Sequence, residues 1–337
     1  MKKYLLTALI TFCMCWSTSL WADERRVIEK AVFSEAQFSE IAFFDKVHFL
    51  ENGVFFNCKF SKEAIFQYAQ FSKVADFTYT RFSEIADFWD TTLPDTLIFY
   101  RTESVKEIDL SNTILDSAKV VQGRKCKIDL RNASIENFHL TYDNFQILKP
   151  DSVLSKQHFQ ELNSVYEKLL KNFKERGYTS SYESLDKEYK AFLFTQNPYH
   201  GTFTHGLNIV LNGVNKLWYD YGYAKWYIFV YIIGFVVLFS LINWFLFPHL
   251  LKAYNIKTIT KHLPYQYINP KNMFTRKVFK LSFFYTCLVF FGLKMDTSAL
   301  NFDKGKAVLY LFFVYAAGLF CLAYLTNFII SSNLIGG

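Results

Sequence analysis

Large apolar residues recur along the first third of the chain with a period that no helix or simple strand explains. One series reads Phe33, Phe44, Phe55, Phe66, Phe77, Phe88 and Phe99, always eleven residues apart. A second reads Phe38, Phe49, Phe60, Phe71 and Phe82 and continues to Leu93, so the interleaved spacing alternates between five and six. Two residues before the successive large positions stand Ala31, Ala36, Ala42, Val47, Gly53, Cys58, Ala64, Ala69, Ala75, Thr80 and Ala86. The repeating unit is therefore small-x-large. Beyond Leu110 the spacing settles to five, through Leu115 and Val120, then Leu130, Ile135, Leu140 and Phe145.

An eleven-residue period also suits a right-handed coiled coil, because eleven residues make close to three helical turns. Three features speak against that. The halfway residue is equally apolar, although on a helix it would point elsewhere. Phe, Ser and Thr dominate where strong helix formers belong. The later five-residue period matches no helical stripe. Internal repetition of this kind predicts a solenoid whose units bury their apolar positions only by stacking on neighbours.

The pattern then changes to helical. Phe159, Leu162, Tyr166, Leu169 and Phe173 step by three and four and predict an amphipathic helix ending near Gly177. Ser180 and Glu183 read as a capping box for a second helix with the stripe Tyr182, Leu185, Tyr189 and Phe192. The pair is expected to form a hairpin at the last coil. Residues 197–204 read as a loop, and the aromatic stretch before residue 224 as an interfacial segment.

Two long apolar runs follow. Residues 226–247 carry no charge over 22 positions and residues 307–330 none over 24, each enough to cross a bilayer of ~30 Å. Ala316, Ala317, Gly318 and Cys321 in the second are small enough to let a partner helix approach closely. Between them, residues 281–293 give only 13 uncharged positions, about 20 Å of helix, which favours a re-entrant or short membrane helix over a span. The loop at 248–280 holds Lys252, Lys257, Lys261, Lys271, Arg276, Lys277 and Lys280 and no acid, so it is expected in the cytoplasm. That orientation places the repeats outside, in the periplasm or extracellular space of a bacterial-type inner membrane. The N-terminus agrees: Lys2 and Lys3, an apolar stretch over 4–16 and a weakly polar run to Ala22 read as a signal peptide of residues 1–22.

Two stretches carry a family resemblance: AIFQYAQFSKVADFTYTRFSEIADF (residues 64–88) and IDLRNASIENFHLTYDNF (residues 128–145). They resemble pentapeptide-repeat proteins. The resemblance implies a right-handed quadrilateral β-helix, four repeats per coil, with the large and small residues inward. The five/six alternation gives 22-residue coils, about five of them, over residues 23–150. The helical connector would occupy 151–225, followed by the membrane region. VYEKLLKNFKERGYTSSYESLDKEYKAF and DYGY also look like the connector of pentapeptide-repeat proteins that carry an ion-channel domain. By that likeness Thr286, Gly292, Lys294 and Asp296 are candidate pore-loop residues, but no T-x-G-Y-G filter run follows Thr286, and Lys294 places a cation where cations would pass.

Composition changes this picture little. The formal net charge of +7 is unevenly spread. Residues 31–147 contain 17 acidic and 12 basic side chains, too mildly acidic for a DNA mimic, and no nucleic-acid partner is expected. The six cysteines are not spaced as a disulfide framework; Cys58 falls on an inward position. His200 and His205 lack nearby companions for a metal site. No G-x-S-x-G, H-E-x-x-H, P-loop or dinucleotide fingerprint is present. Neither cofactor nor catalytic residue is expected. The sequence points to a non-enzymatic membrane-anchored scaffold whose partners are the lipid bilayer, a protein, and further copies through the transmembrane helices, or alternatively to a channel-like protein with a divergent pore loop.

Overall fold

Phe rings alternating with small residues cannot all be buried by one flat sheet, and the chain solves this by winding. The computed structural model describes residues 26–149, 154–199, 201–254, 276–293 and 300–333. Two compact units divide at Asn212 and Gly213.

In the first unit, short strands of two to four residues line four parallel sheets, three to six strands deep. Register gives the period directly: Ala31 pairs with Gly53, Gln37 with Lys59, Ala42 with Ala64 and His48 with Gln70, each 22 residues on. The deepest face has six layers, one more than the spacing predicts, since the ladder continues to Phe145–Ile147. Arg26–Ile28 pairs with Val47–Phe49 and starts the stack.

Each face owns a column of rings. Phe33, Phe55, Phe77 and Phe99 stack at centroid distances of 5.0, 4.9 and 5.2 Å. Phe44, Phe66 and Phe88 stack at 4.9 and 4.7 Å, Phe38, Phe60 and Phe82 at 4.6 and 5.0 Å, and Phe49 and Phe71 at 4.6 Å. Rings of neighbouring columns meet edge to face, as for Phe55 with Phe66 at 5.4 Å. Both geometries suit the aromatic quadrupole. The small positions leave room for these rings. At Gly53 an added Cβ would sit 3.0 Å from the Phe71 ring. Where the small residue carries a polar atom, it donates to the coil before: Thr91 Oγ1 to the Phe66 carbonyl at 2.7 Å, Thr102 Oγ1 to Phe77 at 2.8 Å and Cys58 Sγ to Phe33 at 2.8 Å.

The five/six alternation has a backbone cause. Glu35, Lys46, Asn57, Tyr68, Tyr79, Asp90 and Arg101, eleven apart, all have φ between +54° and +62°. Each is the third residue of a turn closed by bonds such as Thr80 N–H to Phe77 carbonyl at 3.0 Å, the pattern of a type II turn. The five-residue sides take this tight corner. The six-residue sides turn with one more residue and no left-handed position.

One inward reading needs correction. Val120 is 60% exposed. After Ile114 the chain leaves the coil and forms α1, Ser117–Val121, capped by Asp116. The strand register widens there from 22 to 31 residues, Leu97 pairing with Ile128. Lys119 is buried in place of Val120, its Nζ donating to the Leu93 carbonyl at 2.8 Å beside Asp95 at 3.2 Å.

The open end is capped. Helix α2, Lys156–Arg176, buries Phe159, Leu162, Val165, Tyr166, Leu169 and Phe173 into the same core. Asn172 Nδ2 faces the carbonyls of Ile135, Glu136 and Phe138 at 3.2, 3.2 and 3.1 Å, satisfying the edge of a coil. Gly177 at φ +74° ends the helix, with Tyr178 N–H bonding the Phe173 carbonyl at 2.9 Å. That tight link leaves no room for the expected capping box. Helix α3 runs Thr179–Thr195 with Tyr178 as N-cap, so Ser180 lies inside its first turn and Glu183 pairs with Lys187 at 2.7 Å. Leu185 and Phe192 of its predicted stripe are buried and Tyr182 and Tyr189 half-buried. Helix α4, Thr202–Tyr219, begins within the expected loop and carries His205; His200 lies outside the described residues.

The second unit contains α5, Tyr227–Ala253, α6, Arg276–Phe290, and α7, Gly305–Asn333. Helices α5 and α7 are long and apolar enough to cross a membrane. They run antiparallel: Phe229 meets Phe328, Phe239 meets Phe313, and Asn301 N–H bonds the Ala253 carbonyl at 2.8 Å. Tyr254 and Leu300 form an antiparallel bridge, so the chain leaves α5 and approaches α7 at the same end.

Candidate functional site

Two places hold the candidate functional groups, one in each unit. In the membrane unit, α6 packs on α5 and α7 through a buried polar cluster. Asn243 of α5 donates from Nδ2 to Thr286 Oγ1 at 2.7 Å, and its Oδ1 accepts from Tyr310 of α7 at 2.8 Å. Thr286 donates to the Ser282 carbonyl at 2.8 Å, and Ser282 Oγ to the Ser240 carbonyl at 3.1 Å. Ser240, Asn243, Ser282 and Thr286 are all fully buried. In an apolar slab such bonds join helices, since water cannot substitute for them.

The sequence-predicted pore-loop residues fall into this frame as follows. Thr286 is the α6 member of the three-helix network. Gly292, at φ +64°, lies in the turn after α6, and a Cβ there would come 2.7 Å from the Tyr315 ring. Lys294 and Asp296 lie outside the described residues, as do the signal segment and most of the basic loop. At Gly318 of α7 a Cβ would collide with the Phe290 carbonyl, so this glycine sets the α6–α7 crossing. Asn243 and Tyr310 were not singled out from sequence; an Asn in the middle of an uncharged apolar run is the signal that marks the first.

On the solenoid, the outward residues make ladders 22 residues apart. Lys62 pairs with Glu40 at 2.9 Å, Arg81 with Glu103 at 3.5 Å, Lys73 with Glu51 and Lys106 with Glu84. Solvent-exposed pairs of this kind add little stability each. One corner differs. Phe56, Tyr79 and Tyr100 form a continuous aromatic edge, with centroids 5.7 and 6.1 Å apart. Arg101 lies over the Tyr79 and Tyr100 rings at 5.6 and 5.3 Å and donates to the Tyr79 hydroxyl at 3.2 Å. Arg131 lies over the other side of Tyr100 at 5.2 Å, held by a two-bond fork to Asp129 at 3.0 and 2.8 Å. Phe56 is 38% and Tyr79 43% exposed. The left-handed turn positions hold Tyr79 and Arg101 outward on successive coils.

Coils wound from small-x-large units, with rings stacked inside and turns every five or six residues, decide the family, and residues 55–103 match the family model described as pentapeptide repeats, 9 copies. The solenoid is a pentapeptide-repeat domain. No curated protein and no solved structure matches the chain. Among the described residues, no three His, Cys, Asp or Glu side chains come together as a metal site. Burial also disarms the two solenoid thiols: Cys58 and Cys126 are both pushed up to about 12, chiefly by desolvation. Next to the repeats, Glu188 receives the hydroxyls of Tyr142 at 2.7 Å and Tyr166 at 2.8 Å, and Lys149 at 3.0 Å. Burial and this carboxylate hold both phenols neutral, well above the ordinary tyrosine range. These are locking contacts between the pentapeptide repeats and their cap.

Proposed function

We propose that the protein is a non-enzymatic, membrane-anchored pentapeptide-repeat scaffold that presents its β-helix outside the cytoplasm to a protein partner. The observation that carries this reading is the exposed corner Phe56, Tyr79, Tyr100 and Arg101, on a shaft whose interior is filled with rings. Aromatic side chains and arginine dominate the energetic centres of protein interfaces, and here they are held rigidly before any partner arrives. Helices α5 and α7 supply the anchor. The acid-free basic stretch between them argues for a cytoplasmic loop and external repeats.

Topology is tested by placing a cysteine at exposed Ser61 and labelling intact spheroplasts with a membrane-impermeant maleimide. Ser61→Cys is expected to react, while the buried Cys58 and Cys126 leave a low background. Protection of Ser61→Cys until the membrane is permeabilised would overturn the orientation.

A second reading is favoured by the same-end arrangement of Tyr254 and Leu300. With α5 and α7 both crossing, residues 255–299 begin and end on one side, and α6 becomes a re-entrant helix, the layout of a pore loop in an oligomer. Conductance of the purified protein in bilayers, altered by Lys294→Ala, would support it; silence across several salts would remove it.

A further inference from the structure

The excursion that breaks the repeat is the one place where the solenoid departs from its own rule. Nine residues beyond the 22-residue period enter between Leu97 and Ile128, and the core gains from them only the Lys119 anchor. Insertions in repeat proteins gather on a face where something is bound. This one is rigid rather than loose. Asp116 caps α1, Lys119 ties it to Leu93 and Asp95, and Gly123 at φ +63° turns the chain back toward the sheet.

What the turn delivers is three cations in a row of four positions: Arg124, Lys125 and Lys127. They line an open cavity of about 450 Å³ whose other walls include Tyr142, Gln146 and Ser184. That volume suits a small ligand. No carboxylate pairs with Arg124, Lys125 or Lys127 among the described residues. Arg124 Nε reaches only Gln122 at 2.7 Å, and Lys125 Nζ only the Tyr142 carbonyl at 3.5 Å. The acid in the lining, Glu188, is already taken by two tyrosine hydroxyls and Lys149. Elsewhere on the shaft lysines are matched by glutamates a coil away, so this uncompensated positive cluster is a local exception.

We propose that this cavity binds a phosphate-bearing ligand, with Arg124, Lys125 and Lys127 as its recognition groups. A dianionic or more highly charged group is what three convergent cations at one mouth match; a single carboxylate would leave two of them unanswered. Such a group comes either free in solution or as the headgroup of an anionic lipid, and the same three side chains would meet both.

The test uses the full chain in detergent micelles and calorimetric titration with two probes, inorganic pyrophosphate and dioctanoyl phosphatidate. Saturable binding is expected for at least one, weakening as salt is raised. The variant Arg124→Gln with Lys125→Gln and Lys127→Gln is expected to bind at least about tenfold more weakly, from the loss of charge-assisted bonds. Its side chains are exposed, so its melting temperature should match that of the parent. A control with Lys46→Gln, Lys59→Gln and Lys174→Gln removes the same charge elsewhere. Binding of pyrophosphate assigns a soluble ligand, and binding of phosphatidate alone assigns a lipid headgroup. Failure to bind either probe, or equal loss in the control variant, overturns the proposal.

Discussion

The ring columns predict that the cost of deleting a ring depends on how many rings flank it along the column. Phe66 is fully buried, stacked on Phe44 at 4.9 Å and Phe88 at 4.7 Å, with edge contacts to Phe55 and Phe77 at 5.4 and 5.5 Å. Phe33 stacks on Phe55 alone and is only partly buried. Deleting a fully buried Phe costs ~3–5 kcal/mol through lost transfer energy and the cavity left behind. Aromatic pairs add ~0.5–1.5 kcal/mol beyond burial. Phe66→Ala is therefore expected to cost about 4 kcal/mol and Phe33→Ala about 2 kcal/mol, since the terminal ring has lost half of its stack already. For a unit of this size that means a drop in melting temperature of roughly 8–16 °C against about half as much. Urea unfolding of the full chain in micelles, followed by the strand signal in far-ultraviolet circular dichroism, gives both values with one baseline. Equal costs for the two substitutions, or a cost for Phe66→Ala below about 1 kcal/mol, would refute nearest-neighbour stacking as the source of stability.

Lys46 holds φ +59° without any glycine's freedom, so Lys46→Gly should be neutral or stabilise the solenoid by up to about 1 kcal/mol, read as a rise in urea midpoint. Asn172→Leu strips three carbonyls of their donor and should cost about 1–3 kcal/mol, with faster amide exchange confined to the last coil and α2. Gly318→Ala should separate α6 from α7, seen as new protease sensitivity between residues 276 and 293 in a protein whose solenoid melts unchanged. Alkali should weaken the solenoid through Cys58 and Cys126. Their folded values near 12 stand above the unfolded 9.0, so the native thiols stay protonated while unfolded ones ionise. Stability is then whole below pH 9 and falls between pH 9 and 12 by about 1.4 kcal/mol per pH unit for each thiol, a slope that Cys58→Ala should reduce by its share.

How far the sequence discloses this molecule follows from what each position has to satisfy. Small-x-large is legible because every coil needs the same two inward residues, and Ala42, Ala64 and Ala86 stand in one column for that reason. The hairpin stripe was legible through Phe159, Leu162, Tyr166 and Leu169 for the same cause. The failures lie where a local signal was overruled by something distant. Val120 kept the five-residue beat, but Lys119 found a carbonyl and a carboxylate on the neighbouring coil and turned the beat aside. Ser180 and Glu183 carry a capping pattern, yet the Schellman turn at Gly177 leaves only Tyr178 between the helices. The doubled coil count at one face, the Asn243–Thr286–Tyr310 network and the close approach at Gly318 depend on which helices meet, and periodicity says nothing of that.

Function is less legible than fold because the same repetition that fixes the interior frees the exterior. At the left-handed corner seven successive coils-and-a-half carry Glu, Lys, Asn, Tyr, Tyr, Asp and Arg, residues with nothing in common except that they reach solvent. Selection for folding therefore cannot have chosen Tyr79 and Arg101, which the turn would tolerate no better than Asn57 and strains more. Where a side chain is costly to its own backbone and useless to the core, its reason has to lie outside the chain. The Phe56, Tyr79, Tyr100 and Arg101 corner meets both conditions, and so does the cationic mouth at Arg124, Lys125 and Lys127, which leaves charge unpaired on a shaft that elsewhere pairs it coil by coil.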